Sequence, residues 1–508
     1  MAPFQFPPSG ASDLSPTSDA TANKEDREAG IIVDDNDVID VAAEKKYDAH
    51  LSQLTLILNG YGARLLKQLD LRIIPALVAI FISVSVASES FGNSVILNAS
   101  TGDSLLQVLH MTRRQFLAVA SISLVSHALF PIPSNYMLKY FSPPSWLAFL
   151  ALGSGVGLMI MAASQNYITL LFFRLLLSAF SIGTGPPGVV YFFTLYSCSS
   201  FYRSLRTSLI LASLPLGAAF SGCIAYGVGL LNGIRGLEGW RWLFLIEGTP
   251  PCTLATLVYL FLPSYPENAT WLSNDDHALA VRRMKQESSK SLGHDKITWD
   301  GAKSTLKNER LYLHYLLTVT FSVPEQSMWL FVPTIVSGLG YDGRDAQLLA
   351  VPPLAAAFIA SVGLSAVADR YRAWSMCTLV SFVLAGTTFI VQGMSQCMRY
   401  AAFMTHYVLL CFASTFTFMP YASMLTWFTG NLRDTNGTTL AIPFNTIPSV
   451  VGQAIVYIYK PREALGYSTG LYTNGAVLLV GAACVQLLRW IYQRKNRYLD
   501  VGQHPWIV

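Results

Sequence analysis

Charged side chains are scarce in this chain of 508 residues. Asp, Glu, Lys and Arg together make up 13% of it, whereas hydrophobic residues make up 52%. A soluble domain ordinarily has about 25% charged residues, so the composition excludes an ordinary soluble protein. The stretches 207–234 and 435–459 contain no charged residue. Such runs are too long for core strands or ordinary core helices, and they predict an integral membrane protein.

Several other patterns are missing, and each absence excludes a class of protein. The N-terminus has no basic start, apolar stretch and small-residue cleavage site, so no secretory signal peptide is expected. G-x-S-x-G, H-E-x-x-H and Walker A patterns are absent, which argues against an enzyme or an ATP-driven pump. No cluster of Lys/Arg with stacking aromatic residues points to nucleic acid. We predict no enzyme activity and no cofactor.

Cysteine is also sparse and unpatterned. The seven cysteines include no C-x-x-C pair, and almost all fall inside or at the ends of apolar stretches. We interpret them as small apolar packing residues rather than metal ligands or redox groups.

The chain does contain a series of long apolar stretches between Leu71 and Tyr492. Each is long enough to span a bilayer, since ~20 residues at 1.5 Å per residue cross the ~30 Å hydrocarbon core. A charged insert at 263–310 divides them six and six. The predicted spans are 71–97, 114–138, 146–163, 167–193, 205–231, 241–262, 311–336, 346–368, 374–395, 400–428, 437–459 and 470–492.

This layout predicts an all-α membrane protein with twelve transmembrane helices in two six-helix bundles. The bundles are expected at 66–262 and 311–495, joined by a cytosolic linker at 263–310. The acidic segment 1–65 is expected to be a disordered cytosolic tail, and 496–508 a second cytosolic tail. The layout is typical of a secondary transporter, in which the substrate lies between the halves near the bilayer midplane. Its partners would be the lipid bilayer, a small solute and protons, and a monomer is expected.

Orientation follows from the distribution of basic residues. With the N-terminus inside, inner segments contain 21 Lys/Arg, leaving out four in the far N-terminal tail, and outer loops contain 8. The excess of positive charge predicts that both termini face the cytosol. The sequon at Asn98 then lies in the first external loop and is a candidate glycosylation site. Those at Asn268 and Asn436 would face the cytosol as chance matches.

Arg174 is the sharpest functional signal, because it is the only charged residue between 140 and 202. A charge at membrane depth costs at least ~2.5–3.5 kcal/mol on insertion scales, so it needs a partner or an aqueous cavity. The planar guanidinium of Arg174 can bind a carboxylate through two parallel hydrogen bonds. We favour a role in substrate binding or coupling. The alternative is a structural arginine that ties two helices together.

Four further ionisable residues within spans are candidates for proton coupling. Glu325 follows Pro324, which is expected to unwind the seventh span and expose carbonyls. A carboxyl group in an apolar setting is more readily protonated than one in water. His127 titrates in a suitable range, as does His406. Each of these residues, like Glu89 in the first span, has a structural alternative as a hydrogen-bonded packing residue.

The segment 365–372 contains an acid beside two arginines at the end of the eighth span. Asp369, Arg370 and Arg372 are predicted to form an inner gate, since an acid beside arginines can make a charge-assisted clamp. The alternative is an ordinary solvated loop after a helix.

Taken together, these residues resemble the major facilitator superfamily, and more narrowly the fungal anion:cation symporter family of the allantoate, nicotinate and pantothenate permease type. The resemblance runs from about Leu66 to the C-terminus. Its most specific stretch is 239–248, GWRWLFLIEG, followed by LPSYPE at 262–267. Supporting stretches are 67–75, 133–139, 348–353 and 368–370.

The resemblance implies roles for particular residues. Arg174 matches the fourth-span arginine that the superfamily links to substrate and proton coupling, and Asp369 with Arg370 matches its inner gate motif. The signature residues are interpreted as structural, and they are Trp240, Arg241, Trp242, Glu247 and Gly248.

The chain departs from the family pattern at three places. The family's Asp-Arg pair in the first span is replaced by the stretch 87–93, which has no arginine. An acid in the fourth span is replaced by Ser181, and a glycine four residues after the arginine is Ser178. These changes are typical of a divergent member that handles a specialised metabolite.

The sequence therefore predicts a plasma-membrane transporter that moves a small organic anion by alternating access, with proton-coupled import favoured. Export of a carboxylated secondary metabolite is the alternative. A more remote alternative is a nutrient sensor that does not transport.

Overall fold

A computed structural model of the protein describes residues 70–137, 140–184, 203–262, 307–338, 343–397, 403–432, 441–455 except 443, 468–498 and 506–508, together with Lys67 and Lys303. The predicted tail at 1–65 and most of the linker at 263–310 lie outside the described residues. So do the sequons at Asn268 and Asn436.

The regular structure within the described residues is helical. The first half contains α1 (Asp70–Thr101), α2 (Leu105–Val108), α3 (Arg113–Leu129), α4 (Pro131–Met137), α5 (Pro143–Met161), α6 (Tyr167–Thr184), α7 (Arg203–Leu211), α8 (Ser213–Val228) and α9 (Gly239–Phe261).

The second half contains α10 (Glu309–Gly338), α11 (Gly343–Leu349), α12 (Val351–Tyr371), α13 (Trp374–Cys397), α14 (Phe403–Phe418), α15 (Tyr421–Gly430), α16 (Ile447–Ile455) and α17 (Ser468–Arg497). Several of these are short and join end to end, as α7 joins α8 and α14 joins α15. The all-helical fold predicted from the sequence is confirmed.

Within the described residues, nine helical segments are long and apolar enough to span a membrane. They correspond to nine of the twelve predicted spans and are consistent with that count. The nine segments are Asp70–Thr101, Pro143–Met161, Tyr167–Thr184, Ser204–Leu231, Gly239–Phe261, Gln347–Tyr371, Trp374–Ser395, Met404–Gly430 and Ser468–Arg497.

The second and seventh predicted spans differ from expectation. The second is divided at Phe130 into α3 and α4. Pro131 begins α4, where the missing N–H of proline costs nothing because the first turn has no partner for it. The seventh was expected to unwind at Pro324, but α10 runs through Pro324 without interruption. That expectation was wrong, since neighbouring helices can support a proline inside a membrane helix.

Contacts between the halves run through α12, which packs against both α7 and α8, and through α15 on α7 and α11 on α8. A further contact joins α3 to α16. At one end of the bundle, which we call the Asp70 end, Asp369 at the end of α12 meets the start of α7. At the opposite end, the Asn98 end, the side chain of Asn98 is bonded to Gly229 at 3.2 Å.

Candidate functional site

A cavity of about 270 Å³ lies between the two halves, partway along α1. Helices of the first half supply one wall and helices of the second half supply the other. Four predicted site residues line this one cavity, and they are Glu89, His127, Arg174 and Glu325. The structure therefore brings together the ionisable residues that the sequence analysis selected one at a time.

Arg174 on α6 is held in the first-half wall by contacts with α1. Its Nη1 donates to the carbonyl oxygen of Ser88 at 3.3 Å, and its guanidinium lies 4.7 Å from the centre of the Phe91 ring. Its Nε is buried without a hydrogen-bond partner. No salt bridge to Arg174 is found in the described part of the chain. The Nε atom of the guanidinium therefore has no protein acceptor among the described residues, and an anionic ligand could accept its hydrogen bond.

Glu89 and His127 surround this arginine. Arg174 acts electrostatically on both residues. The Nδ1 atom of His127 lies 2.9 Å from the carbonyl oxygen of Ser123. Since a carbonyl only accepts, Nδ1 must carry the hydrogen, and Nε2 is left as the atom that can take up a proton. The first-half wall thus combines one fixed cation with two groups that can change charge.

Glu325 on α10 provides the ionisable group of the opposite wall. The side chains of Gln326 and Trp329 lie beside its carboxyl group. Tyr421 stacks on Phe321, with the ring centres 4.9 Å apart. The aromatic rings make the second-half wall partly apolar, and Glu325 is the only acid among its described lining residues.

The floor of the cavity faces the Asp70 end and consists of apolar side chains from both halves. Phe81, Val84, Leu425 and Ile442 line the cavity and also belong to a buried apolar cluster. That cluster extends to Ile73 near the start of α1 and joins helices of both halves. A solute in the cavity therefore cannot pass to the Asp70 end unless these side chains separate.

Asp369 closes the same end by a polar contact between the halves. Its Oδ2 accepts from the backbone N–H of Leu205 at 2.8 Å, and its Oδ1 accepts from the N–H of Ser204 at 3.1 Å. Trp374 Nε1 also donates to Oδ1, at 2.8 Å. The first N–H groups of a helix have no internal partner and carry partial positive charge, so a carboxylate binds there favourably.

The arginines beside Asp369 have different surroundings. Arg370 is exposed, and Arg372 adopts a left-handed conformation with φ 51° that ends α12. The helix that Asp369 binds is held in turn by Arg206, whose Nη2 lies 2.6 Å from Asp70 Oδ2. The sequence pattern drew attention to Asp369, but its partners on α7 are backbone groups that no pattern reveals.

The signature at the start of α9 packs this helix against α5. Trp240 is fully buried, and the guanidinium of Arg241 lies 4.3 Å from the centre of the Trp240 ring. Trp242 Nε1 donates to the carbonyl of Ile234 at 3.2 Å. A Cβ atom on Gly248 would lie 2.9 Å from the carbonyl oxygen of Gly155 on α5. Small residues at this crossing allow the two backbones to approach closely.

Glu247 of the signature is fully buried and lies outside the cavity-lining set. Ser221 Oγ donates to its Oε1 at 2.8 Å, and Ser90 is hydrogen-bonded to its Oε2. His406, the other histidine considered from the sequence, also lies outside that set, with Nδ1 3.3 Å from Ser395 Oγ.

Asn98 sits in a tight turn at the end of α1, with φ 54°. Its Nδ2 donates to Gly229, and its Oδ1 is buried without a partner. A glycan on Nδ2 would replace one of its two hydrogens. Glycosylation of Asn98 stays a prediction.

Neutral residues of the cavity were largely missed by sequence reasoning. Ser178 and Ser181, noted only as departures from a family pattern, both line the cavity. Gln326, Trp329 and Asn445 line it without any charge to mark them, since neutral polar and aromatic residues are common along membrane helices. The proximity of Gln326 and Trp329 to Glu325 in sequence was the one available signal.

Comparison with known proteins agrees with this architecture. The family model described as Major Facilitator Superfamily matches residues 82–452. The MFS transporter prlL of Fungal sp. (strain NRRL 50135) is 40% identical over 432 residues, covering 84% of this chain and 86% of that protein. A protein of Agrobacterium vitis provisionally named a tartrate transporter is 23% identical over 435 residues, covering 85% and 93%.

The crystal structure of FucP in the outward conformation superposes with a TM-score of 0.60 at 14% identity, covering 83% of this chain and 99% of that one. That likeness concerns the fold. The matched residues, the relatives and the two-walled cavity agree, and the chain belongs to the Major Facilitator Superfamily as a multi-pass membrane transporter rather than an enzyme.

Proposed function

We propose that this transporter moves a small organic anion bearing a carboxylate, by alternating access and with protons in the direction of import. The observation that carries the proposal is the state of Arg174. Its buried Nε has no hydrogen-bond partner, and the side chain lies in a cavity shared by both halves. A buried cation without a full set of hydrogen-bond acceptors is costly unless a ligand or water supplies the missing ones.

Alternating access would use the two contacts at the Asp70 end. The apolar cluster containing Phe81 and Leu425 blocks the path from the cavity, and Asp369 bonds the halves beside it. Opening that end requires both contacts to break. Asp369, Arg370 and Arg372 are proposed as the gate on this side, which the basic-residue count assigns to the cytosol.

Proton coupling is proposed to run through Glu325, His127 and Glu89. All three line the cavity with Arg174, so a change in their charge acts directly on a bound anion. Glu89 neutralises Arg174 electrostatically when it is ionised. A carboxylate substrate would compete with Glu89 for the guanidinium, and protonation of Glu89 would favour the substrate.

The finer family assignment is part of this proposal. We infer membership of the anion:cation symporter type, supported by the signature at 239–248 and by the relative from Agrobacterium vitis that is named for tartrate transport. The plasma membrane is the proposed location, with both termini cytosolic and a monomer as the working unit.

The flux of labelled solutes into proteoliposomes that contain the purified protein tests the proposal. A panel of labelled carboxylates, beginning with tartrate, nicotinate and pantothenate, is offered with an inward proton gradient, and an uncharged amide of each serves as the control. Accumulation of a carboxylate but not its amide supports import of an anion. Extrusion from loaded vesicles would favour the exporter of a carboxylated metabolite, and binding without flux would favour a sensor.

A further inference from the structure

Glu247 is a buried acid that the proposed transport route does not use. It is 0% exposed on α9, in the interior of the first half. Its hydrogen bonds join α9 to α1 and α8, because Ser90 and Ser221 contact its two carboxyl oxygens. A fully buried carboxyl group needs either a cation or a proton.

The hydrogen atoms available around Glu247 are best used when its carboxyl group is protonated. Asn93 Nδ2 donates to Ser221 Oγ at 2.7 Å, and Ser221 donates to Oε1 of Glu247 at 2.8 Å. Ser90 has one hydroxyl hydrogen, and its Oγ lies 3.1 Å from the carbonyl oxygen of Val86. If Ser90 donates to Val86, its contact with Oε2 must be donated by Glu247.

The charges that face Glu247 also favour a proton. The helix α5, which packs along α9, has no ionisable side chain, and α8 has only Cys223 and Tyr226, which are both exposed. From α1, Glu89 acts on Glu247 electrostatically. No salt bridge to Glu247 is found in the described part of the chain. An ionised Glu247 would thus be a second negative charge beside Glu89, without a cation of its own.

This hydrogen-bonded chain reaches the second half of the protein. Gln347 on α11 is 1% exposed, and its Nε2 donates to the backbone oxygen of Asn93 at 3.3 Å. The backbone oxygen of Gln347 would lie 3.1 Å from a Cβ atom placed on Gly222 of α8. Asn93 is therefore held on one side by the chain from Glu247 and on the other by Gln347. This contact lies on the Asn98 side of the cavity.

We propose that Glu247 carries a proton in this conformation and that release of this proton loosens the contact between Asn93 and Gln347. Release leaves a carboxylate on Glu247, and the proton from Oε2 passes to water. Ser90 must then turn its hydrogen from Val86 to the carboxylate. The new charge repels Glu89, which lies one helical turn before Asn93 on α1. We expect α1 to shift, so that the halves separate more easily on this side. The inference rests on the proposed proton coupling and makes Glu247 a positioning residue outside the substrate cavity.

Infrared difference spectroscopy of the purified full-length protein, comparing acid with alkaline pH, tests directly whether Glu247 carries a proton. The carbonyl stretching band of a protonated, buried carboxyl group should disappear in Glu247→Gln and persist in Glu89→Gln and Glu325→Gln. Ser221→Ala should shift the same band without removing it, because Oε1 loses its hydrogen bond. This second variant decides the matter if Glu247→Gln does not fold. A wild-type spectrum without such a band, or a band unaffected by either variant, overturns the proposal.

Hydrogen–deuterium exchange tests the link to the contact between the halves. Glutamine cannot release a proton, so Glu247→Gln should keep the segments around Asn93 and Gln347 protected at every pH. In wild-type protein these segments should exchange several-fold faster than in the variant at alkaline pH and at the same rate at acid pH. Comparing the two proteins at matched pH cancels the intrinsic exchange rates. Equal exchange at all pH values contradicts the proposal.

Neither measurement needs a transported substrate. If anion transport fails its own test, the infrared band and the exchange difference still decide the assignment of Glu247. Conversely, if neither the infrared band nor the exchange difference is seen, the proposed binding role of Arg174 is unaffected.

Discussion

The carboxylate of Asp369 accepts a hydrogen bond from the backbone N–H of Leu205 at 2.8 Å, so an acid of the second half caps a helix of the first. A hydrogen bond to a charged group contributes about 1.5–3 kcal/mol. The contact lies beside the apolar floor of the cavity, where it favours closure of the Asp70 end. It is specific to one conformation, because separation of the halves must break it.

Asp369→Asn should slow transport while leaving the amount of protein in the membrane nearly unchanged. Asparagine keeps one carbonyl oxygen but loses the charge that favours the helix N-terminus, so the closed state becomes less stable by about 1 kcal/mol. Asp345→Asn is a matched control, since Asp345 is an exposed acid at the start of α11. Initial rates in proteoliposomes provide the measurement. Unchanged rates would leave Asp369 as a structural cap of α7 with no part in the gate.

Glu325→Gln should retain exchange of substrate across the membrane but lose accumulation driven by a proton gradient. Glutamine resembles the protonated acid in shape and cannot release a proton. Wild-type accumulation should increase as the outer pH falls and collapse with a protonophore. Glu309→Gln, an exposed acid on the same helix, serves as the control. Proton-driven accumulation in Glu325→Gln would place coupling on another residue.

Glycosylation at Asn98 is tested by two variants that differ in their structural cost. Asn98→Gln removes the acceptor but also the hydrogen bond to Gly229. Ser100→Ala removes the sequon and leaves that bond intact, because Ser100 is exposed. Both should abolish the glycan-dependent mobility shift of the protein expressed in a eukaryotic cell. Glycan on Asn268 or Asn436 instead would reverse the proposed orientation.

Gly248→Ala should lower the thermal stability of the purified protein. Its Cβ would lie 2.5 Å from Met159 Cγ and 2.9 Å from the Gly155 oxygen, so α5 and α9 must move apart. Overpacking of this kind costs typically about 1–3 kcal/mol. Gly363→Ala is the matched control, because nothing lies within 4 Å of its Cβ position. Equal melting temperatures would show that the crossing tolerates a methyl group.

Sequence reasoning predicted the parts of this protein in which the composition itself is constrained. Long uncharged stretches predicted the all-helical membrane fold, because charged groups are costly in lipid. Arg174 stood out because it is alone in a long uncharged stretch. That Arg174 and Glu325 line the same cavity depends on the packing of the two halves, which distant positions in one sequence do not reveal.

Local irregularities were predicted less well. The sequence favoured an unwound helix at Pro324, yet α10 is continuous there, while Pro131 coincides with a real break. Tertiary packing decides between these outcomes. Likewise Asn445 gave no signal from sequence, although it lines the cavity and accepts from Thr318 Oγ1 at 2.8 Å.

Arg174→Lys separates the charge of the side chain from its shape. Lysine keeps one positive charge but cannot bind a carboxylate through two parallel hydrogen bonds. If the guanidinium binds the substrate, this variant should lose at least ~10-fold in apparent affinity, corresponding to about 1.4 kcal/mol. Arg114→Lys, at an exposed position of α3, should be unaffected.

The most direct test of the anion site is uptake by Arg174→Gln in proteoliposomes, measured with the carboxylate that wild-type protein accumulates. Equal amounts of monodisperse wild-type and variant protein are reconstituted, and uptake is followed with and without an opposing gradient of the same solute. The proposed role of Arg174 predicts that the variant is folded and reconstituted but takes up no substrate above empty liposomes. Uptake by the variant near the wild-type rate would contradict it and make Arg174 a structural link between α6 and α1.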